Sequence, residues 1–158
     1  MQYSDFNAFK KAWAFKRDDP KIPTEDLEKI RVLSEEFSNN IWRDYVSKEQ
    51  LHPDHLTPND WLKMENHQMG RAHWESCWDS EDHSLPDEVL QHVGHWGDDT
   101  VVFFCYHSDE VIETTWVVFS RYWKNFLFFD NGPILFGKKK KQAIQFFSNG
   151  QCQLLSRS

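Results

Sequence analysis

The residues Thr100 to Tyr106, which read Thr-Val-Val-Phe-Phe-Cys-Tyr, constrain the fold of this chain more than any other segment. A continuous run of β-branched and aromatic residues offers no polar side to solvent, and it predicts a strand buried on both faces. Ser108-Asp109-Glu110 turns the chain into a second strand over Val111 to Thr115. Ile134 to Phe136, Gln142 to Phe147 and Gln151 to Leu155 read as three more. Asp130-Asn131-Gly132-Pro133 is a turn signal, and Ser148-Asn149-Gly150 makes the last two strands a hairpin, because Asn-Gly tolerates positive φ. Trp116 to Phe126 is ambiguous by pattern. Its valines favour strand, but Trp116, Phe119, Trp123 and Phe126 share a helical face, and helix is the preferred reading.

The residues before this region read as helical. Ser4 and Asp5 are N-cap types ahead of Phe6, Phe9 and Trp13, which predicts a short helix near residues 5–12. Arg17 to Pro23 is a loop, because its prolines block helix continuation. Thr24 then caps a helix whose stripe is Leu27, Ile30, Leu33, Phe37, Ile41 and Tyr45, while Ser34-Glu35-Glu36 resembles a second cap and allows a break near Val32. Thr57-Pro58-Asn59-Asp60 predicts another helix start, with Gly70 as its end. Ser84-Leu85-Pro86-Asp87-Glu88 opens a short helix stopped by Gly94. Helices followed by strands give an α+β class: N-terminal helices (about 1–97) packed on a C-terminal, mainly antiparallel sheet (about 98–158), within a single domain.

Composition supports a packed core. The 158 residues include 8 Trp, 4 Tyr and 13 Phe, and each such ring buries roughly 150–250 Å². Phe6, Phe9, Trp13, Phe37 and Trp61 are the expected helical core set. No stretch approaches the roughly 20 apolar residues of a membrane helix. Cys77, Cys105 and Cys152 are widely spaced without a CxxC pair, which reads as free thiols in a reducing compartment; the expected location is cytoplasmic. Residues 1–110 carry 23 acidic and 11 basic side chains, and the remainder carry 2 and 7, for a net charge of −7. An acidic body repels a phosphate backbone, which argues against a nucleic-acid partner.

Candidate chemistry is sparse. His52 and His55 stand three apart, as do His92 and His95, and two such pairs would suit a zinc site, since neutral imidazole is a common ligand. Helical zinc pairs usually stand four apart, however, and no HExxH occurs. Cys77 lies among acids that disfavour a thiolate, and Cys105 sits inside the buried strand as a small core residue. No GxSxG, P-loop or GxGxxG is present. The acidic clusters at Asp79-Ser80-Glu81-Asp82, Asp98-Asp99 and Asp109-Glu110 read as solvated loops, and Lys138 to Lys141 as a charged turn protecting a sheet edge. Trp74, Trp78 and Trp96 lie in polar segments, which makes them candidates for an aromatic binding surface.

The stretch from Glu113-Thr114-Thr115-Trp116 through Tyr122-Trp123-Lys124-Asn125-Phe126-Leu127 to Asp130-Asn131-Gly132-Pro133 resembles a small family of uncharacterised bacterial proteins, a domain of unknown function. The resemblance extends to the start around Trp13 and to Phe146-Phe147-Ser148-Asn149-Gly150. It implies a bacterial cytoplasmic single-domain protein and brings no activity, cofactor or catalytic residue. The expected function is recognition of a protein or small ligand through the aromatic surface, without a cofactor. The alternative is a metal-dependent hydrolase using His52, His55, His92 or His95.

Overall fold

The computed structural model describes residues 2–16, 21–80, 84–127 and 132–157. Arg17 to Pro20 of the expected loop, Glu81-Asp82 of the acidic cluster and Asp130-Asn131 of the turn lie outside the described residues. The strands are β1 (Arg31–Val32), β2 (Gln68–His73), β3 (Val101–His107), β4 (Glu110–Thr115), β5 (Ile134–Gly137), β6 (Gln142–Phe146) and β7 (Gln151–Ser156). The helices are α1 (Thr24–Leu27), α2 (Glu35–Tyr45), α3 (Glu75–Trp78), α4 (Asp87–His92) and α5 (Trp116–Phe126). All seven strands join one antiparallel sheet in the order β1-β4-β3-β5-β6-β7-β2, so the chain is α+β.

The interior strand β3 behaves as its composition demands. Side chains alternate across a strand, so Val102, Phe104 and Tyr106 enter one apolar cluster while Phe103 and Cys105 enter another. The first cluster takes Trp116, Val118, Phe119, Trp123 and Phe126 from α5, and the second takes Trp42 and, just after α2, Val46. Phe104 is fully buried, with Tyr106, Phe119 and Phe126 between 5.0 and 5.4 Å away.

The division at about residue 97 is not one of helix and strand. Residues before it supply both edge strands, β1 and β2, and residues after it supply α5. The stripe from Leu27 to Tyr45 is broken where Arg31 and Val32 pair with Glu113 and Ile112 of β4, and Ser34 Oγ accepts from Phe37 N to start α2 afresh. The capping interaction at Thr57 forms, with the Asp60 carboxylate accepting from Thr57 N at 2.8 Å. The helix does not follow. Trp61–Lys63 is a 3-10 turn, its indole donating to Tyr45 O at 2.8 Å and Leu62 buried, so packing overrides the cap. Gly70, read as a helix stop, instead sits in β2 at φ 152°, where the register with β7 slips.

The expected helix at residues 5–12 is two 3-10 turns, Phe6–Ala8 and Ala12–Phe15. A period of three turns Ala12 and Phe15 inward and leaves Trp13 49% exposed. Phe37 is also exposed, because α2 turns Ser38 and Trp42 to the sheet. Phe6, Phe9 and Trp61 are partly buried. Lys138 to Lys141 joins β5 to β6, two interior strands, so it guards no edge. Gly137 at the start of that turn carries no Cβ, which would come within 2.8 Å of Trp96 Cζ2.

Candidate functional site

The β6–β7 hairpin organises a cleft where β2 gives way to α3. Its Gly150 carbonyl accepts from both Trp74 N (2.8 Å) and Glu75 N (3.2 Å), where β2 ends and α3 begins. The Trp74 indole N–H is shared between Phe147 O (3.1 Å) and Gln151 O (3.0 Å). Four hydrogen bonds therefore clamp Trp74 and Glu75 to a hairpin more than 70 residues away in sequence. The indole plane is fixed from its polar edge, and its apolar face is left to pack.

Trp78, one helical turn on from Trp74, stands edge-to-face against it (5.8 Å, 67°) and against Trp123 (6.1 Å, 74°). The cleft beside this pair has a volume of about 310 Å³ and is lined by Trp74, Glu75, Trp78, Asp79, Leu127 and the hairpin residues Ser148 and Gly150. Trp78 is partly exposed, while Trp74 is buried at 6%. Glu75 and Asp79 are exposed, and among the described residues neither carboxylate forms an ion pair or accepts a hydrogen bond. Aromatic faces beside uncompensated carboxylates attract an organic cation, because ring quadrupole and carboxylate act with the same sign.

The expected three-tryptophan surface does not form as one patch. Trp96 is also buried at 6%, edge-to-face on Trp116 at 5.4 Å and against Gly137 at the end of β5. That end lies beside Ser156 and Gln142, whereas Trp74 lies by Gln151 at the opposite end of the strands. Polar neighbours in sequence misled here. In Trp74 the polar edge is satisfied by backbone carbonyls, so the ring enters the core despite its flanks. Glu75 and Asp79 are the cleft residues that the indole spacing did not single out. The visible signal was their position beside each tryptophan of an i, i+4 pair.

The two histidine pairs do not converge either. His52 and His55 have ring centroids 5.5 Å apart, and His52 stacks on His107 at 6.1 Å, by the end of β3. His92 Nε2 lies 2.8 Å from Leu155 O, near the far end of β7, and His95 is exposed. Since a carbonyl only accepts, His92 Nε2 bears the hydrogen and presents no lone pair there. His52 Nδ1 accepts from Asp54 N at 3.1 Å and is likewise engaged. Among the described residues no group of three or more His, Cys, Asp or Glu is placed to share a metal ion.

The cysteines divide by burial. Desolvation pushes the Cys105 thiol far up and the Cys152 thiol to about 12, so both are held protonated, whereas Cys77 is partly exposed. The segment whose resemblance was noted above supplies α5, and with it Trp116, Phe119, Trp123 and Phe126 of the first apolar cluster. No curated protein and no solved structure matches. The profile described as "Protein of unknown function (DUF2947)" matches residues 3–155, spanning the sheet, α5 and the hairpin clamp alike, and the chain belongs to that family.

Proposed function

We propose that this chain is a binding protein that takes an organic cation, an ammonium or guanidinium group, in the cleft beside Trp74 and Trp78. The cation is carried by a small molecule or by a basic side chain of a partner protein. The observation that carries the reading is the pairing of a partly exposed indole, Trp78, with the Glu75 and Asp79 carboxylates, which form no ion pair among the described residues, in one cleft. A cation over an indole face is attracted by about 0.5–2 kcal/mol, more as water is excluded. The hairpin clamp holds the cleft in place before any ligand arrives, which lowers the entropy lost on binding.

The test is titration with choline, lysine and arginine, followed by tryptophan fluorescence, against 3,3-dimethylbutanol as a neutral shape match for choline. The expected result is saturable quenching by at least one cation and none by the alcohol. Trp78→Ala should abolish it, and Glu75→Gln with Asp79→Asn should weaken it. Equal response to the alcohol, or no response to any cation, overturns the reading.

A further inference from the structure

The second face of the sheet changes character within one side-chain repeat. Ala143 and Leu155, paired across β6 and β7, belong to the apolar cluster under Trp42. Two residues along, on the same face, Gln145 pairs with Gln153, and Gln153 pairs with Arg71 of β2. Gln145 is 3% exposed and Gln153 4%, so two amides have been drawn into positions that an apolar sheet face would fill with aliphatic side chains. Gln153 Nε2 is satisfied by Gly70 O at 2.7 Å. Gln145 Nε2 donates to Gly132 O at 3.2 Å, but among the described residues nothing donates to its amide oxygen.

Gln145 lines a cleft of about 540 Å³ on the far side of the hairpin from the tryptophan pair. Phe147 also lines it, with Lys63 Nζ 5.9 Å and Arg71 Cζ 5.8 Å from its ring centroid. Neither cation meets a carboxylate among the described residues, although Arg71 donates to Gln151 Oε1 at 3.1 Å. The cleft also holds one acid, Asp54, whose carboxylate is mostly exposed to solvent. Asn149 spends its oxygen on Gln151 N and leaves its amide donors to the cleft. Two exposed cations therefore stand by one ring with no carboxylate partner among the described residues, and together they attract an anion into the cleft.

We propose that this cleft binds a small hydroxyl-bearing anion of the sugar-phosphate or sugar-acid type. Lys63 and Arg71 hold the phosphate or carboxylate, Arg71 through its planar fork. A ligand hydroxyl donates to Gln145 Oε1, and the apolar face of the sugar lies on Phe147. The site is separate from the tryptophan cleft; the two share the residue Ser148.

Calorimetric titration with glucose 6-phosphate and gluconate, beside inorganic phosphate and neutral glucose, tests the assignment. At least one hydroxylated anion should bind, about tenfold or more tighter than inorganic phosphate, and glucose should not bind. Lys63→Ala, an exposed substitution that leaves the core untouched, should weaken binding by about tenfold. Gln145→Met should lower the sugar phosphate toward the affinity of inorganic phosphate, with circular dichroism confirming an unchanged fold. Trp78→Ala should leave all of these values as they are, which separates this site from the cation cleft. Binding of inorganic phosphate as tight as that of the sugar anions, no binding of either anion, or indifference to Lys63→Ala overturns the proposal.

Discussion

Gly150 and Glu75 meet so closely that a Cβ on the glycine would lie 2.5 Å from Glu75 Oε2 and 2.8 Å from Glu75 Cβ. The same glycine holds φ at 86°, in the left-handed region that L side chains rarely adopt. Gly150→Ala therefore combines backbone strain with displacement of Glu75. The expected loss is about 1–3 kcal/mol in urea unfolding, together with weaker cation binding beside Trp78. A stability equal to wild type would mean that the hairpin does not set the position of α3.

Tyr122 donates its hydroxyl to Asp26 Oδ2 at 2.6 Å. Burial, followed by this bond and the Asp26 charge, pushes the phenol up to about 12. A group whose folded pKa is raised contributes stability below its unfolded value near 10, and that contribution is lost as pH rises through 12. Unfolding free energy should fall between about pH 10 and 12, less steeply in Tyr122→Phe. Ultraviolet titration should show a tyrosinate step near 12 that this variant lacks.

Thiol labelling at pH 8 should distinguish the cysteines. Cys105 and Cys152 are buried and held protonated, so a disulfide reagent should modify Cys77 first, and all three should react after unfolding in guanidinium. Fast labelling of Cys77→Ser would contradict the burial of the other two.

Phe104 sits where α5, β3 and Phe146 meet. Phe104→Ala should cost about 3–5 kcal/mol. Phe37→Ala removes a ring of the same size from an exposed position and should cost well under half as much by the same unfolding measurement.

The strands from β3 onward were legible because their signals are local. An apolar run, a two-residue period and Asn-Gly turns each lie within a few residues of what they specify. The cap at Ser34 was legible for the same reason. The strand β2 was not. Only Ala72 among its residues is buried, since an edge strand is held by backbone bonds to β7 and carries no apolar period. The burial of Trp74 was equally hidden, because the carbonyls that satisfy it belong to Phe147 and Gln151. The glutamine face did leave a trace. Gln145 and Gln153 stand among the apolar residues Ala143, Ile144, Phe146, Cys152, Leu154 and Leu155, and an interior strand seldom carries an amide without a reason.

The strand order also bears on how the chain is made. The two outermost strands, β1 and β2, are synthesised before any strand that lies between them. Each is a poor template for a stranger, one being two residues long and the other bent by the bulge at Gly70. As β4 and β7 leave the ribosome, their outer edges find covers already waiting on the same chain. A fragment starting near residue 98 would lack those covers and present two open edges, so it should associate with itself more strongly than the whole chain.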